Sequence, residues 1–244
     1  MMTRIRQFMF VVAAVAMLLG PITTAEAAEE RNYLLATAST GGTYYPVGVA
    51  LSTLVKVKLQ PKQKIGMSAI NSAGSGENIK LLRETEVQFA ILQGLYGAYA
   101  WNGTGPIESV GPQTNLRSVS MLWQNVEHYA VLKKFAKTGT ISDIVALKGE
   151  AMSMGKKNSG TLGSNTVILG NLGVDIEKDY NLIYVGYGPT AEALQNGQIS
   201  GFGIPAGVPA SAVTKAMANL GDDMAILDLT DEQMQQADGG LGLW

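Results

Sequence analysis

Ala38-Ser39-Thr40-Gly41-Gly42-Thr43-Tyr44-Tyr45-Pro46 joins a short apolar strand over residues 33–38 to a helix that opens near Pro46. Its composition is that of a ligand loop. In open α/β sheets such a loop lies at the carboxyl end of a strand, where crevices form, and the following helix N-terminus offers unpaired N–H groups and a dipole that favours anions. Glycine lets a ligand approach the backbone, and serine and threonine hydroxyls add donors. Taken alone, one such loop reads as an ordinary tight turn with a helix cap. Two more stretches repeat the pattern, however: Asn71-Ser72-Ala73-Gly74-Ser75 and Lys157-Asn158-Ser159-Gly160-Thr161. Three hydroxyl-rich helix entrances in one chain point to a shared crevice.

Outward from the first loop, apolar strands alternate with amphipathic helices. A strand with Ile65, Met67 and Ala69 follows, then a helix after Ser75 and a near-continuous apolar strand over 87–92. Alternating β and α elements argue for an α/β fold with parallel-rich sheets flanked by helices. A further strand is expected at 118–122, and 129–132 reads as the first strand of a second unit. That unit continues with a strand through Met152 and Met154, a helix holding Val167, Ile168 and Leu169, strands at 182–185 and 199–204, and a helix after Pro209. Thr230 with Gln233 reads as a capping box. The expected organisation is a signal peptide over 1–27, a first lobe over 28–124, a second over 125–221, and a return segment that starts at 222 and breaks off at 244.

The leader reading rests on Arg4 and Arg6, an apolar run from Phe8 to Leu19, the Gly20-Pro21 break and the small residues Ala25 and Ala27, with cleavage expected after Ala27. It predicts a periplasmic protein. The chain has no cysteine, which removes disulfides, thiolate nucleophiles and a lipidated cysteine. With 18 Lys and Arg against 20 Asp and Glu, there is no basic stripe to bind nucleic acid. No P-loop is present, because Thr161 follows Gly160 where lysine is needed. His128, the one histidine, sits in an apolar strand, and no G-x-S-x-G accompanies it. No catalytic set, metal set or cofactor is therefore expected.

These loops, with Glu77-Asn78, Ala90-Ile91-Leu92-Gln93, Ala100-Trp101-Asn102-Gly103-Thr104-Gly105, Tyr187, Ala191-Glu192-Ala193-Leu194, Gly197-Gln198-Ile199 and Pro205-Ala206-Gly207-Val208-Pro209, resemble the TAXI family in order and spacing. That family comprises TRAP-associated extracytoplasmic immunogenic proteins, the solute-binding subunits of TRAP transporters. The resemblance implies a two-lobed periplasmic-binding-protein-like fold that captures a small carboxylate or amino acid, such as glutamate or a related dicarboxylate. It implies TRAP permease membrane subunits as partner. Carried over by position, the ligand-binding residues are Gly42, Thr43, Tyr45, Ser72, Ser75, Gln93, Gly160, Thr161, Tyr187 and Ala206. Lys157-Asn158 and Gly94-Leu95 depart from the family pattern and could retune the ligand. A binding protein of the same shape serving an ABC transporter is the alternative, and a periplasmic enzyme on the same scaffold is a more distant one.

Overall fold

Strand β1 (Arg31–Ala36) runs parallel to β2 (Ile65–Ile70) on one side and to β3 (Phe89–Ala90) on the other. Parallel neighbours need crossover connections. Helix α1 (Tyr44–Lys58) supplies the first and α2 (Ser75–Arg83) the second, and helix α3 (Gly94–Asn102) follows β3. The computed structural model describes residues 29–242, so the expected leader and its cleavage point lie outside the described residues. From Arg31 onward the chain forms one compact unit built on two sheets.

The second sheet has the order β6-β5-β7-β4-β8. Its strands are β4 (Val126–Leu132), β5 (Ala151–Ser153), β6 (Asn181–Leu182), β7 (Gly201–Ala206) and β8 (Met224–Leu227). β5 pairs in parallel with β6 and β7, whereas β4 runs antiparallel to β7 and β8. Helices α4 (Gly160–Asn171), α5 (Tyr187–Gln195), α6 (Ser211–Leu220) and α7 (Asp231–Asp238) complete this half. The expected capping box is formed: Thr230 Oγ1 accepts from the Gln233 N–H, and Gln233 Oε1 accepts from the Thr230 N–H.

Two strands differ from expectation. The run at 87–92 is a strand only at Phe89–Ala90, with one backbone bond to β1 on either side and the Leu34 N–H turned to the Gln88 side-chain Oε1. Residues 118–122 form no strand. Val119 and Met121 are 83% and 84% exposed, so the apolar alternation has no sheet to join.

The two halves are held in different ways. Around the second sheet, Tyr129, Val131, Ile144, Ile168 and Leu169 fill one face, and Ala130, Phe202, Ile204, Leu194 and Val213 fill the other. Burial of each large side chain contributes about 1.5–3 kcal/mol. Around the first sheet the buried apolar cluster is Ile79, Tyr96, Ala100 and Ile107. A polar knot supplements it. The Asn78 amide nitrogen, fully buried, donates to the Thr37 and Ile91 carbonyls, and its oxygen accepts from Ser72 Oγ at 2.6 Å. Asn78 thereby ties β1, the strand end after β3 and the loop before α2 into one frame.

Candidate functional site

The Asn78 frame sets the N-termini of α2 and α3 against those of α1, α4 and α5. Where they meet, a pocket of about 30 Å³ is lined by Gly42, Thr43, Tyr44, Gly74, Ser75, Gln93, Asn125, Gly160, Thr161, Tyr187, Pro205 and Ala206 among others. That space holds a water or two. Each helix entrance brings unpaired main-chain N–H groups and the positive end of a dipole to the same point. None of the described lining residues is charged.

Eight of the ten residues carried over by resemblance line this pocket: Gly42, Thr43, Ser75, Gln93, Gly160, Thr161, Tyr187 and Ala206. Tyr45 and Ser72 do not. Helix α1 starts at Tyr44 rather than at Pro46, and one residue turns the helix by about 100°. Tyr44 is therefore the tyrosine in the lining. Ser72 is buried with its hydroxyl engaged to Thr37 and Asn78, so it builds the frame behind the loop.

The hydroxyls in the pocket form a directed chain. Tyr187 Oη donates to the Pro205 carbonyl at 2.7 Å, which uses its single proton. The 2.6 Å contact between Thr161 Oγ1 and Tyr187 Oη must therefore carry the threonine proton toward the tyrosine. Thr161 and Tyr187 spend their protons within the protein. The donors they leave for a ligand are the main-chain N–H groups at the starts of α4 and α5. Burial raises the Tyr44 hydroxyl to about 12, although hydrogen bonds with Ser75 and Asn125 act against it. Burial also pushes the Tyr187 hydroxyl far above its ordinary range. Both phenols are neutral at pH 7.

Two glycines sit at close approaches in the pocket. A Cβ on Gly160 would stand 2.4 Å from Gln93 Oε1 and 2.8 Å from Ser75 Oγ, and one on Gly42 would meet the Tyr187 ring at 3.0 Å. Side-chain-free backbone at both points lets the two halves meet. Hydrogen bonds then cross directly between them. Thr43 Oγ1 donates to the Gly207 carbonyl at 3.1 Å, and Ser211 Oγ and the Ala212 N–H both donate to the Gly41 carbonyl at 2.9 and 3.1 Å. The Glu77 N–H donates to the Asn158 carbonyl at 3.0 Å, and Tyr96 Oη to the Ser159 carbonyl at 3.1 Å.

The sequence reading missed Asn125 and Pro205 as lining residues, and Glu127, which lies beside them outside the lining. Trp123 Nε1 donates to Asn125 Oδ1 at 2.9 Å, which leaves the Asn125 amide N–H groups for Tyr44. Glu127 stands opposite Pro205 in the β4–β7 ladder, and burial pushes its carboxyl up to about 8. An acid within an apolar strand is the one local sign that could have drawn attention to it. His128, the adjacent residue, has its ring Nδ1 2.9 Å from the Ile204 carbonyl, a packed structural contact.

A mixed α/β chain with parallel-rich sheets and donor-rich helix entrances converging between them has the periplasmic-binding-protein-like fold. The chain belongs to the NMT1-like family, whose profile matches residues 35–244. It is similar in structure to the alkanesulfonate-binding protein SsuA from Xanthomonas axonopodis pv. citri bound to MOPS. That match has a TM-score of 0.52 and 15% identity and covers 88% of this chain and 64% of the other. A solved protein from Bordetella bronchiseptica matches at a TM-score of 0.54 and 17% identity, covering 88% and 62%. A binding protein component of an ABC phosphonate transporter from Pseudomonas aeruginosa matches at 0.50 and 12%, covering 86% and 74%. The chain thus spans about two thirds of the length of such relatives. Among the described residues no helix is long and apolar enough to cross a membrane.

Proposed function

We propose that the chain is an extracytoplasmic solute-binding protein, which holds a small acid between its two sheets and passes it to a membrane permease. The observation that carries this reading is the meeting of helix N-termini from both sheets at one pocket lined by neutral donors. Such a site neutralises an anionic group without a lysine or arginine in its lining. Magnitudes require both halves. Micromolar binding is about −8.2 kcal/mol, whereas a neutral hydrogen bond nets about 0.5–1.5 and a helix N-terminus about 0.3–1 kcal/mol. Donors from the first sheet's loops alone fall short once ordering is charged against them. The crossing hydrogen bonds support this reading, because they bring the second half over the same pocket.

Two transporter classes are compatible with this role. An ABC-type permease is the better supported, because the solved relatives above include an alkanesulfonate-binding protein and an ABC phosphonate transporter component. A TRAP permease of the TAXI type, with a carboxylate or amino acid such as glutamate as ligand, is supported by the motif order alone. Calorimetry with sulfonates, phosphonates, dicarboxylates and amino acids tests the shared claim. One of these classes is expected to bind, and Gly160→Ala is expected to abolish that binding while circular dichroism stays native. If none of the four classes binds, the solute-binding reading fails. Import into vesicles driven by ATP or by an ion gradient then separates the two permease classes.

A further inference from the structure

We propose that Glu127 receives a cationic nitrogen of the ligand, so that the cleft selects a zwitterion, an acid that also carries an ammonium group, over a simple anion. This rests on the solute-binding reading and deepens it. Glu127 Oε2 is buried and has no hydrogen-bond partner. The residue sits two positions from Asn125 and opposite Pro205, both of which line the pocket. Its carboxyl lies close enough to the hydroxyls of Tyr44 and Tyr187, which line the pocket from α1 and α5, to couple with them electrostatically.

Gln93 Oε1, within the lining, is a second buried acceptor without a partner. The main-chain N–H groups at the helix entrances are donors, suited to an anion. The two unpartnered oxygens are suited to N–H groups. An unmatched buried acceptor costs about 1–3 kcal/mol, so a ligand that supplies the missing donors gains on any analogue that does not. An ammonium has three protons to give, enough for both oxygens.

The titratable groups that face Glu127 are Tyr44 from α1, Tyr187 from α5 and Tyr129 from its own strand. All are neutral at pH 7. Burial alone sets the shift of Glu127 to about 8, so the carboxyl carries its proton at pH 7 in the free protein. When an ammonium docks, the carboxyl O–H bond breaks, the carboxylate pairs with the cation and the proton passes to solvent. Binding should release close to one proton. Affinity should therefore rise about tenfold per pH unit from pH 6 toward 8 and level off above it.

The test is calorimetry on the full chain at pH 7, in two buffers of different ionisation enthalpy, with three matched pairs of probes. These are L-glutamate and glutarate, 2-aminoethanesulfonate and ethanesulfonate, and 2-aminoethylphosphonate and ethylphosphonate. In any pair that binds, the amino member is expected to bind at least tenfold tighter and to release close to one proton. Glu127→Gln should remove both the preference and the proton release. Glu127→Asp keeps the charge with shorter reach and should lose part of the preference, and native melting of both variants shows that they fold. If an amine-free member binds as tightly as its partner, or the preference survives in Glu127→Gln, the zwitterion inference is overturned while the solute-binding reading stands. If neither member of any pair binds, the small-acid reading falls and the inference falls with it.

Discussion

The two sheets of this protein meet at one pocket but reach it by different physical means. The second sheet is covered on both faces by apolar side chains, with Phe202, Tyr129, Ile168, Leu169 and Leu194 fully or almost fully buried. The first sheet has a smaller apolar cluster and a hydrogen-bonded knot centred on Asn78, and its helix α1 leaves Leu54 and Val57 more than half exposed. A greasy core resists volume change, whereas a polar knot resists loss of any one partner. The difference locates where each half should be most sensitive to substitution.

Phe202→Ala should give the largest loss, about 3–5 kcal/mol, because it empties the middle of the second sheet's core. Urea unfolding followed by circular dichroism measures it. If Ile79→Ala in the first half costs as much, the contrast in core strength disappears. Asn78→Ala should cost about 1–3 kcal/mol, since it leaves the buried Ile91 carbonyl without its donor, while Ser72 Oγ still reaches the Thr37 carbonyl. A loss below that of an ordinary surface substitution would show that water replaces the amide and that no knot exists.

Asp143→Asn sharpens the comparison from the other side, as it removes the second half's own buried polar anchor. The Asp143 carboxylate accepts from the Lys137, Thr138 and Gly139 N–H groups and from Thr138 Oγ1. Desolvation raises its pKa, but these donors outweigh it and hold the carboxyl below its ordinary value. A depressed folded pKa gives stability that is present above the unfolded value of about 3.9 and lost as pH falls through the folded one. The substitution should therefore cost about 2 kcal/mol at pH 7 and progressively less as pH drops below about 4, in melts recorded across that range. An undiminished gap at pH 2 would assign the loss to packing. Tyr96→Phe should have the smallest effect, about 1 kcal/mol, by deleting the bond to the Ser159 carbonyl that joins the halves. A rise in the radius of gyration in small-angle scattering, with little change in Tm, is the expected signature.

Much of the architecture was legible in the sequence because strand–loop–helix alternation is a local pattern. The three Gly-rich helix entrances could be placed together on the general rule that α/β crevices lie at strand carboxyl ends. What failed was phase and distance. Tyr44 and Tyr45 are chemically alike, and only the first residue of α1 decides which of them faces the pocket. Ser72 reads as a ligand hydroxyl until Thr37 and Asn78, 35 and 6 residues away, are seen to hold it. Residues 118–122 have strand composition but no neighbouring strand. Glu127 gives one local sign, an acid in an apolar strand, and nothing nearby in the sequence reveals that Pro205, far along the chain, stands opposite it. The antiparallel placement of β4 has no local signature either.

Five of the hydrogen bonds that cross between the halves end on the carbonyls of Gly41, Gly207, Asn158 and Ser159, all of them main chain. A carbonyl survives any exchange of the side chain attached to its residue. These contacts are thus partly insulated from mutation, while the cavity wall, with replaceable groups such as Gln93 and Asn125, is not. A substitution at Gln93 can therefore reshape the cavity and leave those carbonyl contacts between the halves in place.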